Sequence, residues 1–366
     1  MRSHLFTAFL ASGAFAAREF LNEPDTGIDD VLGYVPKGAL PDLSKIIGLP
    51  DFDWAARHYL PIQNYTYYRN GAAGEWSYRN NLEIESTLPT TILGHNFSAP
   101  IFISPCARGG YGHSDGELNL VKGAAAGNIL YMPALLASYT IEEIAAAKAE
   151  GQVVFQQLYL SANDTETQDL LDRSKAAGAN AIVFTVDSAA DGNRHRAARY
   201  GVGSADSEYT YITWDYYKKI TTMTDLPIIL KGIMTVDDAK LAVKHKVPAI
   251  ILSNHGGRQL DGSPSSLEVA LEIHEKAPEV FKQIEVYADG GVRYGADVLK
   301  LLSLGVKAVG LGRPFMFANV FGVKGIEKAI EIIKHEIAID AANLGVGDLE
   351  KINPSYVQWT PNNWMG

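Results

Sequence analysis

Pro248-Ala-Ile-Ile-Leu252-Ser253-Asn254-His255-Gly256-Gly257-Arg258-Gln259-Leu260-Asp261 opens as an apolar run and ends as a cluster of reactive side chains. The first five residues carry no polar side chain, which suits a strand buried on both faces of a parallel sheet. Directly after Leu252 come an imidazole, two glycines and a guanidinium. Histidine can take up a proton near neutral pH, and arginine can grip a carboxylate through two parallel hydrogen bonds. Glycines between them permit turns that a side chain would forbid. A polar turn whose His255 and Arg258 merely face water would look the same at a single strand end, so the decision rests on the other strand ends.

Outward from this stretch the same rhythm repeats. Apolar runs suited to buried strands occur at 99–104, 129–135, 153–160, 181–186, 226–230, 249–252, 285–288 and 308–311. Helix start signals lie between them at Ser114-Asp-Gly-Glu117, Thr140-Ile-Glu-Glu143, Thr235-Val-Asp-Asp238 and Ser266-Leu-Glu268, where a hydroxyl can accept from the first free N–H groups. Gly178 and Gly305 stand just before the next strand, as helix C-terminal caps do. Eight strands alternating with helices over about 215 residues is the count and length of an α/β fold, the (β/α)8 TIM barrel. A doubly wound open sheet is the alternative, and no strand–Gly-x-Gly-x-x-Gly–helix unit supports it. The fourth connection, Asp187 to Asp225, holds an extra polar segment, Tyr200–Thr213, read as a lid or mobile loop.

Residues 17–90 are read as a helical, aromatic-rich segment capping a barrel of residues 91–366, which ends in C-terminal helices. Thr90–Asn96 is read as a short hairpin. The first 16 residues have the order of a secretory signal peptide: Arg2, an apolar run from Leu5 to Phe15, then Ala14-Phe15-Ala16. Secretion is therefore the expected localisation, with the cytoplasm as the alternative. The sequons at Asn64, Asn96 and Asn163 add little, because 17 asparagines produce about two by chance.

Composition narrows the class. The chain has 366 residues, 47% hydrophobic and 20% charged, which is a globular composition. A net charge of −10 disfavours an electrostatic nucleic-acid partner. Cys106 is the single cysteine, so an internal disulfide and a thiolate zinc cluster are excluded. The body of the chain contains no stretch of membrane-spanning length.

In a barrel of this kind the chemistry sits at the C-terminal strand ends. In order these carry Pro105-Cys106-Ala107, Ala134-Leu135, Gln157-Leu-Tyr159, Thr185-Val-Asp187, Lys231-Gly232, Ser253-Asn-His255, Asp289-Gly-Gly291-Val-Arg293 and Gly310-Leu-Gly312-Arg313-Pro314. Lysine is rarely drawn to the end of a run such as Leu226–Leu230 unless its charge is matched. A structural ion pair would do that, and so would a bound group. Asp187 could orient His255 and stabilise its protonated form. Glycines beside Arg293 and Arg313 after the last two strands have the make-up of a phosphate site.

These residues resemble the FMN-dependent α-hydroxy acid oxidases and dehydrogenases, the family of glycolate oxidase, lactate oxidase and the flavin domain of flavocytochrome b2. The resemblance covers roughly residues 50 to 355 and rests on Tyr67-Tyr68 with Gly71, Thr91-Ile-Leu-Gly94, Arg258-Gln-Leu-Asp261 and the strand-end motifs from Gln157-Leu-Tyr159 onward. It implies FMN as cofactor and a 2-hydroxy acid as substrate. His255 would be the base, with Asp187 stabilising its imidazolium. Arg258 and Tyr68 would hold the substrate carboxylate, with Arg194 as a second arginine nearby and Tyr159 at the substrate hydroxyl. Lys231 would face the flavin N1–C2=O edge, where a positive charge stabilises the reduced ring. Gln157, Thr185 and Ser253 would contact the ring or ribityl chain, and the Ala107 backbone would approach N5. Asp289 and Arg293 would serve the ribityl–phosphate part, with Gly291, Gly312 and Arg313 around the phosphate.

The same resemblance sets the remaining expectations. About 50 residues before its start are too few for a haem domain, so molecular oxygen is the expected oxidant and hydrogen peroxide the product. Oxidative decarboxylation of the lactate monooxygenase kind is the alternative, and a flavin barrel of non-oxidase function the next. Relatives point to a homo-oligomer, a tetramer or octamer. Departures from the pattern fall at Asp191, expected to make the pocket more acidic, and at Ala134 and Leu136, expected to alter its shape. The C-terminus, Asn363-Trp-Met-Gly366, lacks a peroxisomal tripeptide.

Overall fold

Strand ends point one way because each strand is followed by a helix that returns the chain to the same starting end. The computed structural model describes residues 32, 34–69, 88, 90–161, 163–203 and 212–358. The signal-like segment, Gly71 and most of the expected lid (204–211) lie outside them.

Ahead of the barrel run helices α1 (Leu49–Tyr59) and α2 (Ile62–Arg69), followed by a hairpin of β1 (Thr90–Ile92) and β2 (His95–Phe97). The barrel strands are β3 (Ile101–Ile103), β4 (Leu130–Tyr131), β5 (Phe155–Leu158), β6 (Ala181–Thr185), β7 (Ile228–Ile233), β8 (Ala249–Leu252), β9 (Glu285–Asp289) and β10 (Ala308–Leu311). Neighbours pair in parallel in the order β4-β3-β10-β9-β8-β7-β6-β5. A parallel bridge between Tyr131 and Val154, with the Gln157 N–H donating to the Pro133 carbonyl at 2.9 Å, joins the two ends and closes the cylinder.

Alternation along each strand splits the core into two shells. Phe102, Phe155, Val183, Ile229, Ile251, Tyr287 and Ala308 fill the interior, while Ile103, Phe184, Leu230, Leu252, Ala288 and Val309 face the helices. The expected hairpin plugs the N-terminal end: Ile92 and Phe97 belong to the interior shell, and the Leu93 N–H donates to Glu285 at 3.0 Å. Outside, α3 (Gly116–Gly127) packs on the long C-terminal helix Gly322–Asn343. The contact is close because Gly123 and Gly127 face Ile326 and Ile330, where a Cβ would stand 2.4 and 2.7 Å from those side chains.

Two start signals read differently in the structure. Ser114 does not cap α3, because Glu117 turns inward and accepts from the N–H groups of Gly109 and Ser138 instead. The helix at Ser266–Lys276 is capped one residue earlier than expected, by Ser265 in a reciprocal pair with Glu268. Thr140 and Thr235 cap as expected, and Gly178 and Gly305 take the left-handed φ values of +70° and +107°.

Candidate active site

The interior parity of each strand, continued past the apolar layers, supplies the site. Two residues beyond Phe102 stands Ser104 and then Cys106; beyond Val183 come Thr185 and Asp187; beyond Ile229, Lys231; beyond Ile251, Ser253 and His255; beyond Tyr287, Asp289. The floor of the pocket is thus the uppermost polar layer of the barrel core.

One wall is a histidine–carboxylate pair. His255 Nδ1 and Asp187 Oδ1 are 2.8 Å apart, and both side chains are largely buried. His255 takes φ +57°, a left-handed value that a bulky residue adopts only when its surroundings impose it. Its N–H donates to Ser253 Oγ at 3.0 Å, and the same oxygen accepts from Lys231 Nζ at 2.8 Å. Lys231 is buried beside Asp289, at 3.5 Å. Burial alone would lower its pKa, yet the carboxylates of Asp289 and then Asp187 outweigh burial and hold it above the usual lysine range. A full positive charge is therefore fixed in the pocket floor.

A glycine makes this arrangement possible. β7 continues through a bulge at Gly232, with φ +109°, and a Cβ there would stand 2.6 to 2.8 Å from the Asp187 side chain and backbone nitrogen. Only a residue without a side chain lets Asp187 lie against the strand that carries Lys231.

A second wall comes from the helical cap. Arg258 donates to the Tyr67 carbonyl at 2.8 Å and lies 5.3 Å from the Tyr67 ring centroid. Tyr68 Oη donates to the Arg108 carbonyl at 2.8 Å, and burial first, then Tyr67 and Glu117, raise its pKa well above the ordinary phenol value. Tyr159 and Leu136 complete this side of the pocket. The third wall is glycine-rich. Gly290 and Gly291 take φ +106° and +88°, while Arg293, Gly312 and Arg313 follow them around the rim. Arg313 donates to the Gly256 carbonyl at 2.7 Å, tying this wall to the His255 loop.

Thirteen of the sixteen expected residues meet at the pocket: His255, Tyr68, Tyr159, Arg258, Ala107, Gln157, Thr185, Lys231, Asp289, Gly291, Arg293, Gly312 and Arg313. Gln157 donates to Thr185 Oγ1 at 2.9 Å and accepts from the Leu135 N–H at 3.1 Å. Asp187 and Ser253 stand directly behind this wall and orient its members. Arg194 does not reach it. Its guanidinium is buried against the Arg258 carbonyl at 3.2 Å and Gln259 Oε1 at 2.5 Å, so it braces the Arg258 loop from behind. Asp191 is exposed to solvent and is absent from the pocket wall, so the expected acidic pocket is not formed by this residue.

The residues fit a flavin mononucleotide. Ser104 lines the pocket with a buried hydroxyl that has no hydrogen-bond partner among the described residues. A Cβ on Gly312 would stand 2.9 Å from Cys106 Sγ, and one on Gly310 would meet Ser104 at 2.3 Å, so both glycines keep a cradle open. Burial, outweighing the nearby arginines, pushes the Cys106 thiol up to about 11 and keeps it neutral. Sequence reading did not single out Ser104 or Arg108; Ser104 was detectable by its parity with Phe102, whereas Arg108 depends on the cap lying over it.

The fold and site together define a flavin-dependent barrel enzyme, and the chain belongs to the FMN-dependent dehydrogenase family, whose model matches residues 56–209 and 204–359. FMN is accordingly its cofactor. Among similar proteins, the L-lactate dehydrogenase (cytochrome) of Wickerhamomyces anomalus is 33% identical over 353 residues, covering 86% of this chain and 62% of that protein. The chain thus spans about three fifths of such cytochrome-type relatives. Human 2-hydroxyacid oxidase 1 is 33% identical over 367 residues, covering 87% of this chain and 98% of that one. In structure, the flavin-binding domain of baker's yeast flavocytochrome b2 superposes with a TM-score of 0.80 at 32% identity, covering 88% of this chain and 91% of that one.

Proposed function

We propose that this protein oxidises a 2-hydroxy acid to the 2-oxo acid and passes the electrons to molecular oxygen, giving hydrogen peroxide. The observation that carries the reading is the Asp187–His255 pair at 2.8 Å, set in the wall that also holds Arg258 and Tyr68 above the Lys231 charge.

Arg258 binds the substrate carboxylate, using guanidinium N–H groups beyond the one given to Tyr67, while Tyr68 turns its one hydroxyl proton from the Arg108 carbonyl to the substrate. This anchors the carbon bearing the hydroxyl beside His255. With Nδ1–H held by Asp187, the opposite ring nitrogen, Nε2, is the basic atom and takes one proton as the substrate is oxidised. Asp187 then stabilises the imidazolium. FMN, when bound, accepts the electron pair. Lys231 supplies a fixed positive charge where negative charge accumulates, without needing to reorient.

Oxygen as acceptor is supported by the likeness to 2-hydroxyacid oxidases over nearly their whole length; the cytochrome-type relatives make transfer to a haem partner the competing outcome. A homo-oligomer belongs to the same proposal, and light scattering would give its mass. The deciding experiment is anaerobic titration of the FMN-loaded protein with a panel of 2-hydroxy acids. Bleaching of the flavin, followed by one peroxide per turnover on admitting air, is expected. A flavin that stays oxidised against the whole panel would refute the proposal. His255→Ala should keep FMN and lose this bleaching, and rapid reduction of that variant would refute the base assignment.

A further inference from the structure

Beside the pocket, on the ring of its lining residue Tyr67, lies a guanidinium that the reaction does not use. Arg108 follows Ala107 at the pocket and takes φ +60°, a strained left-handed conformation for an arginine. Its N–H donates to the carbonyl of Leu136, which lines the pocket mouth and is 38% exposed. Its guanidinium carbon lies 5.1 Å from the centroid of Tyr67, and that of Arg258 lies 5.3 Å from the same centroid. One buried, pocket-lining ring therefore holds two cations. Arg108 also lies 5.6 Å from the Tyr111 ring and donates to the Tyr111 hydroxyl at 3.1 Å. Among the described residues its partners are aromatic, and no carboxylate neutralises it.

Ring faces attract a guanidinium but leave its charge intact. Two like charges that share one ring repel each other unless anions come between them. A substrate with one carboxylate satisfies Arg258 alone. A substrate with two satisfies both, provided its ends are a few bonds apart, as in a short diacid. We propose that Arg108 is a specificity residue that binds the distal carboxylate of a dicarboxylic 2-hydroxy acid, while Arg258 holds the carboxylate beside the reacting carbon. This rests on the oxidation reading above and names its substrate class.

The test compares kcat/KM for anaerobic flavin reduction of the FMN-loaded enzyme by malate and 2-hydroxyglutarate with that by lactate and 2-hydroxybutyrate. Wild type should prefer the diacids by at least about tenfold, the value of one charge-assisted hydrogen bond. Arg108→Met should lower the diacid-to-monoacid ratio about 10- to 100-fold, mainly through KM. Arg108→Lys, which retains the charge, should keep most of the preference. A wild-type ratio at or below one, or a ratio unmoved in Arg108→Met, would overturn the inference and leave the oxidation reading intact. No bleaching by any of the four acids would overturn both.

Discussion

Replacing Asp187 with asparagine tests the catalytic wall most directly. The substitution keeps the shape of the side chain and removes its charge 2.8 Å from His255 Nδ1. Unit charges at that separation attract by roughly 6 kcal/mol at an effective dielectric of about 20. Most of this is offset by the water both groups gave up on burial, leaving the net value of a charge-assisted hydrogen bond, about 1.5–3 kcal/mol. Because the imidazolium forms only as the substrate is oxidised, that loss falls on the barrier and should slow reduction about 10- to 150-fold. Lys231 also feels Asp187, but its nearer partner Asp289 remains at 3.5 Å. The assay is anaerobic stopped-flow at saturating substrate, following the flavin band, with the bound flavin spectrum confirming an intact site. Substrate KM should move little, since Arg258 and Tyr68 are untouched. Reduction within threefold of wild type would refute the claim that Asp187 stabilises a charge on His255.

Two further outcomes follow from close contacts. Gly232→Ala should place a methyl group against Asp187 and load a left-handed backbone position. A loss of about 1–3 kcal/mol in stability is expected, with flavin reduction slowed further because the Asp187–His255 pair is displaced; urea unfolding and stopped-flow together check this, and wild-type behaviour in both would refute it. Asp297 is buried, and burial outweighs the N–H groups of Arg293 and Tyr294 that donate to it, raising its carboxyl from 3.8 to about 8. The folded protein therefore holds this proton more tightly than the unfolded chain. The stability it contributes is full below about pH 4 and is lost as pH rises towards 8. Relative to wild type, Asp297→Asn should become progressively more stable between pH 5 and 8, by at most about 1.4 kcal/mol per pH unit; a difference in melting temperature that stays flat with pH would refute this.

The barrel was legible because buried parallel strands leave an unambiguous trace: Ala249–Leu252 and Ala181–Thr185 contain hardly a polar atom, and helical signals separate them. Strand limits were less so. β4 is regular only over Leu130–Tyr131 although the apolar run extends to Leu135, because the chain turns through Pro133 to build the pocket rim. The strand-end residues assembled as expected since period-two alternation carries them inward whatever surrounds them. Loop residues have no such constraint. Arg194 was expected beside the substrate, but the direction of its side chain is set by Gly192, whose missing Cβ lets that loop lie on the Arg258 backbone. Asp191, the residue before Gly192, is exposed to solvent. Such facing depends on pairs of residues far apart in sequence, which periodicity cannot report.

Strand parity also makes core and site inseparable here. Phe102 closes the apolar interior and Ser104, two residues on, opens the pocket with a buried hydroxyl lacking a partner among the described residues. Leaving such a group unsatisfied costs about 1–3 kcal/mol, and its neighbour on the adjacent strand, Gly310, has no side chain to offer it. A Cβ at 310 would overlap that hydroxyl and the Phe102 ring, at 2.3 to 2.7 Å. The glycine instead keeps the space open, and the strand that completes the barrel core thereby reserves room for a polar group. The same strand carries Gly312 and Arg313 to the rim, so the alternation that seals the core below also forms the cradle above it.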